Sequence, residues 1–192
     1  MERIPVADGW QRNEALVRTT TRYGGQIVKR EGTSPNGVSY ALTSDWRVYY
    51  GLKSESDQYS VDQYLWTSSC KTDNIDDKVT CSMQNLKANI YITLNRQGHV
   101  AWVCLIGHDF PGKTGAIRVD DRRAVATNTD GCVRGRSLEH QFRSGKQVTT
   151  RRVEWPYQQN IDRVETLTGF TEALDLARFL QRNYLKLSFE VG

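Results

Sequence analysis

The chain has 192 residues, enough to fill one core with an attached segment, and its 38% hydrophobic and 25% charged residues are those of an ordinary globular protein. No apolar run approaches the roughly 18–20 residues that a membrane-spanning helix requires. The formal net charge of +4 is unevenly placed: Lys113 to Arg152 holds ten basic and four acidic residues, so that stretch carries +6 and the remainder −2. Such asymmetry steers an anionic partner, and it marks Arg118, Arg122, Arg123, Arg134, Arg136, Arg151 and Arg152 as candidate contacts. A solvated arginine-rich face is the plainer reading of the same residues.

The elements read as short alternating runs between turn residues. In the first 43 residues, "GQIVKREG" leads through Pro35-Asn36-Gly37 into "VSYAL", a hairpin in which Asn-Gly tolerates the positive φ of a tight turn. This segment, 1–43, reads as an N-terminal extension packing on a domain that spans 44–192. "DWRVYY" follows, then a polar stretch, then "YLWTSSC", "KVTCSM" and "ANIYITL". In the last of these Ile90, Ile92 and Leu94 share one face, the period-two mark of a half-buried strand. "NRQG" turns the chain into "HVAWVCLI".

Farther on, "AIRVD" and "QVTTRRVEW" alternate again, with Pro156 ending the second. Between them "RSLEHQFRSGK" predicts a short helix near 138–144, with Ser137 as N-cap and Gly145 in a left-handed C-terminal position. A longer helix near 171–183 follows from Phe170, Leu174, Ala177, Leu180 and Tyr184, spaced by threes and fours along one apolar stripe. Leu185, Leu187, Phe189 and Val191 then alternate as a closing strand. Many short strands with two modest helices predict an all-β, antiparallel sandwich.

"GHDFPGKT" fits the phosphate-binding pattern Gly107-x-x-x-x-Gly112-Lys113-Thr114. That chemistry needs a helix to begin at the Lys-Thr, so that its N-terminal amides face the phosphate. Gly115 and the alternating "AIRVDD" continue as a strand instead, so the letters match without the context. Catalytic signatures are otherwise thin: none of His99, His108 and His140 joins a recognisable nucleophile motif. A metal site from His99, Cys104 and His108 would need a bulge for His99 and Cys104 to converge, because odd and even strand positions face opposite sides. The expectation is therefore a non-enzyme with no cofactor and no metal. Trp46, Trp66, Trp102 and Trp155 offer a stacking platform beside the arginines, although core packing accounts for most aromatics.

Four cysteines, Cys70, Cys81, Cys104 and Cys132, allow three pairings, and none lies in a C-x-x-C pair. They are read as disulfides, with buried thiols as the alternative. The N-terminus lacks the apolar run of a signal peptide, which fits either an intracellular protein or a mature secreted one with a new initiator Met.

"SDWRVYY", "CSMQ" and "GAIRVDD" occur in order, followed by "TDGCVRGRSLEHQFRSGKQVTTRRVEW" and "LTGFTEAL". Together, from Ser44 to about Leu180, they resemble the invasion-associated locus B family of bacterial extracytoplasmic proteins. The resemblance implies a small disulfide-bearing β-sandwich in the periplasm or outside the cell, binding rather than catalysing in host or envelope interaction. Cys81 and Cys132 match the family pattern. Where members look to place further cysteines, this chain has Tyr49-Tyr50 and Ala126 to Asn128. With Cys70 and Cys104 as substitute partners, the resemblance implies the pairs Cys70–Cys81 and Cys104–Cys132. The expected partner is a protein or an anionic surface. The alternatives are a cytoplasmic or phage-encoded basic β-protein that binds nucleic acid and, last, a P-loop nucleotide enzyme.

Overall fold

A computed structural model describes residues 66–183 apart from Asn74, together with the strands 11–20, 26–33, 39–43 and 47–50 of the preceding chain. Strands β1 (Gln11–Thr20), β2 (Gln26–Thr33), β3 (Ser39–Thr43) and β4 (Arg47–Tyr50) pair in sequence order, all antiparallel. Thr33 faces Ser39 across the β2–β3 connection; the Pro35-Asn36-Gly37 turn itself lies outside the described residues, as do Trp46, Tyr184 and the closing strand expected at 185–191.

The same sheet continues through β5 (Trp66–Thr72), β6 (Val79–Asn85), β7 (Ile90–Leu94), β8 (Val100–Leu105) and the short β11 (Cys132–Arg134). A second sheet orders β10 (Val125–Ala126), β9 (Ala116–Val119), β12 (Gln147–Val153) and β13 (Asn160–Thr166). Among the described residues all pairings are antiparallel, and two helices interrupt them, α1 (Gly135–Ser144) and α2 (Phe170–Asn183). The fold is the all-β one read from the sequence.

Period-two patterning fixes the register. Met83 faces Ile92 and Ile92 faces Val103, so one buried row crosses three strands. Between Thr93↔Trp102 and Leu94↔Val100 the ladder gains one residue, Ala101, a bulge that turns Val100 back toward the core. On the inner face α2 packs against β5 and β6, and α1 against β8. The second sheet reaches across too, where Thr150 Oγ1 donates to Ala88 O at 2.7 Å. Trp66, Phe170 and Phe142 knit these layers, with ring centroids 5.2 Å apart in both edge-to-face pairs.

Two details of α1 differ from expectation. Ser137 is not the cap: β11 runs directly into the helix, so Arg134 is the N-cap and makes no side-chain capping bond. A Cβ at Gly135 would collide with Val100, so this glycine is what lets the first turn sit on β8. Gly145 is extended (φ −88°, ψ 164°) rather than left-handed, and its N–H closes the helix on Gln141 O at 2.8 Å. The chain cannot curl back there because Asp120 Oδ1 already accepts the next two amides, those of Lys146 at 3.0 Å and Gln147 at 2.9 Å.

Both disulfides join residues directly opposite on neighbouring strands, Cys70–Cys81 across β5–β6 and Cys104–Cys132 across β8–β11. Cys70 and Cys81 lie on the buried face, whereas Cys104 and Cys132 lie on the outer one. Two such bonds fit an oxidising, non-cytosolic setting. Their loops span 11 and 28 residues. Restriction of the unfolded chain then gives about 3 kcal/mol for the first and about 3.5 kcal/mol for the second. Urea unfolding of Cys70→Ala/Cys81→Ala and Cys104→Ala/Cys132→Ala variants should show losses of that order, with the second the larger.

Candidate functional site: a cleft on helix α1

The seven arginines do not form one surface. Arg118 and Arg151 line a shallow hollow on the outer face of the second sheet, with Ala116, Ala124, Thr149 and Asp162. Arg151 is held there by Asp162 in a two-pronged pair, Nε at 2.7 Å and Nη2 at 2.6 Å. That pair, hydrogen bond first, raises the guanidinium and lowers the carboxyl from their ordinary values. Arg152 turns inward to Gly107 O at 2.7 Å and to Glu154 at 3.0 Å. Arg122 donates to Ser144 Oγ at 3.0 Å, at the end of α1, and Arg123 is exposed in the neighbouring turn. Arg134 and Arg136 flank the start of that helix, roughly 14 Å away by the helical rise. Arg134 stacks on Trp102 with its guanidinium carbon 5.2 Å from the ring centroid. Of the other tryptophans described, Trp66 is in the core and Trp155 is exposed on a loop.

Arg136, Glu139, His140 and Arg143 recur at helical spacing on the side of α1 away from the buried Leu138 and Phe142. With Asn95, His99 and Val100 of the β7–β8 turn they line a cleft of about 550 Å³. The turn is shaped by Asn95 Oδ1, which accepts the N–H groups of Gln97 and His99, both at 3.0 Å.

Glu139 anchors the cleft. Its Oε2 accepts the Val100 N–H at 3.0 Å, and its Oε1 accepts from Arg178 Nη2 of α2 at 2.5 Å. Arg178 in turn donates Nε to Gly98 O at 2.6 Å. Burial alone would raise the Glu139 carboxyl, but the Val100 amide and the two guanidinium groups outweigh it and hold the group below the ordinary glutamate value. Arg143 reaches Asp175 at 2.7 Å and Glu139 at 3.5 Å, and Arg178 reaches Asp175 at 3.6 Å. Two carboxylates thus neutralise two guanidinium groups. His99 Nδ1 sits 3.5 Å from Arg178 Nη2 and 4.0 Å from Glu139 Oε2. Among the described residues, the Arg136 guanidinium and the His140 ring have no partner, and both line the cleft.

The sequence marked Arg136, weighed His99 and His140 only as catalytic or metal-binding residues, and missed Glu139 and Arg178. A mixed-charge face at i, i+3, i+4 and i+7 was the available signal for Glu139 and His140. Arg178 and His99 arrive from elements 39 residues or more away from Glu139 along the chain or beyond a turn, and only the tertiary fold brings them together.

The P-loop lookalike serves another purpose. No helix begins at Lys113; after Gly115 the chain enters β9. His108 is buried, with Nδ1 accepting the Val153 N–H and Nε2 donating to Lys113 O, both at 3.1 Å. Cys104 is in a disulfide, so it is no partner for His99 or His108 as a metal ligand. Gly107 has φ +72°, and a Cβ there would meet the Arg152 guanidinium. Gly107→Ala should therefore destabilise by about 1–2 kcal/mol, whereas Lys113→Ala, on an exposed side chain, should leave the melting temperature unchanged.

The folded-state carboxyl of Glu139 lies below its unfolded value, so its contribution is present at neutral pH and is lost as pH falls through the folded value. Glu139→Gln should cost about 2 kcal/mol at neutral pH, because it loses a charged acceptor of two hydrogen bonds. Thermal unfolding of wild type and variant should converge as pH falls from the ordinary glutamate range through the lowered folded value.

No family model matches the chain, and neither a curated protein nor a solved structure matches it.

Proposed function

We propose that the chain is an exported, non-enzymatic binding protein, similar to the invasion-associated locus B family, that engages an anionic group of its partner through the α1 cleft. The observation that carries this reading is the charge balance of the cleft. Glu139, Asp175, Arg143 and Arg178 cancel among themselves, and the positive charge left over is that of Arg136. A carboxylate, sulfate or phosphate entering there meets a guanidinium with no competing acid, and His140 beside it as a donor. The lining residues include the hydrogen-bond donors Asn95, Arg136 and His140, and no serine or threonine hydroxyl and no thiol. The two disulfides support a periplasmic or secreted setting. Among the described residues, no helix is long and apolar enough to cross a membrane.

Sulfate is the simplest probe, since it keeps its charge across neutral and mildly acidic pH. Calorimetric titration of the full chain at low ionic strength should show binding that weakens about tenfold, or 1.4 kcal/mol, in Arg136→Ala. Arg118→Ala, on the second sheet, should leave it unchanged. Absence of binding, or equal losses in the two variants, would remove the cleft as the site. Four thiols open to alkylation in the unreduced, denatured protein purified from its native host would remove the exported setting.

A further inference from the structure

The two loops that meet beyond the ends of β8 and β12 carry a second surface, made of different residues and different chemistry from the cleft. Residues 106–115 and 154–159 are bound to each other by polar groups. Asp109 N–H and Phe110 N–H donate to Val153 O at 3.3 and 3.4 Å, and Asp109 Oδ1 accepts the Trp155 N–H at 2.7 Å. His108 and Arg152 add the bonds to Val153, Lys113 and Gly107 described above. This bracing presents aromatic rings to solvent. Trp155 is 59% exposed and Tyr157 66% exposed, while Phe110 backs the Trp155 ring with centroids 5.3 Å apart.

A large exposed aromatic pair on a braced loop is an uncommon use of apolar surface in a monomer, and it marks a contact. The neighbouring side chains indicate of what kind. Gln158, Gln159 and Asn160 follow directly, all exposed, and their amides make no hydrogen bond among the described residues. Charge is nearly absent. Arg152 is paired with Glu154 at 3.0 Å, which leaves the Asp109 carboxylate, hydrogen-bonded by a backbone amide, and Lys113 as charges of opposite sign, so these loops carry no net charge.

We propose that this tip binds a neutral glycan. The C–H face of a sugar ring is apolar and its rim carries hydroxyl groups that both donate and accept. Trp155 and Tyr157 supply flat faces for the first, with little rotamer entropy to lose. The three amides supply paired donors and acceptors for the second. A charged ligand would find no net opposite charge here, and a purely apolar surface such as lipid tails would bury the amides without partners. The bracing through Asp109, His108 and Arg152 fixes the backbone that carries Trp155 before the ligand arrives, which lowers the ordering cost of binding at that ring.

The test is a printed array of neutral and acidic oligosaccharides probed with the full chain, followed by calorimetry on any glycan retained. The expected result is binding to at least one neutral oligosaccharide, weakened tenfold or more by Trp155→Ala and separately by Tyr157→Ala. Arg136→Ala should leave it unchanged, so that this site and the sulfate cleft stand or fall independently. Both aromatic variants alter exposed side chains, and their melting temperatures confirm folding. Retention of no neutral glycan would overturn the proposal, as would binding indifferent to both variants. So would capture confined to sulfated or sialylated sugars and lost in Arg136→Ala, or binding to phosphatidylcholine vesicles in place of sugars.

Discussion

One carboxylate joins α1, α2 and β8. Glu139 lies on α1, accepts an amide at the first residue of β8, and pairs with a guanidinium from α2. Three elements distant in sequence therefore meet at one acid. Arg178 extends the joint by holding the Gly98 carbonyl of the β7–β8 turn. A half-buried acid is costly unless its lone pairs are filled, and here amide and guanidinium fill them. The same contacts decide the electrostatics of the cleft. With Glu139 and Asp175 committed to Arg143 and Arg178, the helix face that carries four titratable side chains presents Arg136 as its net charge. The geometry of the core thus sets the sign of the site.

Much of this frame was legible in the residues. Ile90, Ile92 and Leu94 alternate because β7 is buried on one face only, and all three are in the core. The stripe from Phe170 to Leu180 is likewise buried throughout. Legibility failed where tertiary contact overrode local preference. Ser137 has the side chain of a cap, but the chain leaves β11 without a loop, and the helix begins two residues earlier against Val100. β13 was not anticipated because as an edge strand it is exposed on most of its length, and alternation is a signal of one-sided burial. Its place comes from pairing along all of β12.

The arginine cluster shows the limit of counting charge. Seven arginines close in sequence looked like one patch, yet β9, β11, α1 and β12 carry them to several surfaces, and Arg151 and Arg152 satisfy acids and a carbonyl of the fold itself. The Gly107 to Thr114 motif shows the same limit for pattern matching. Its glycines answer to backbone conformation and to the close approach of Arg152, and its middle residues brace the loop that presents Trp155. Two loops and one helix face, rather than a composition-wide basic surface, are where the proposed contacts lie.

The central claim is that Glu139 is ionised and clamped in the folded protein. Carbon-detected NMR titration of its side-chain carboxyl reads this directly. The account predicts a midpoint below that of an ordinary glutamate, with the Val100 amide proton shifting in step as the carboxyl takes up its proton. A midpoint at or above the ordinary value, or a Val100 amide indifferent to it, would mean that the joint between α1, α2 and β8 is not made.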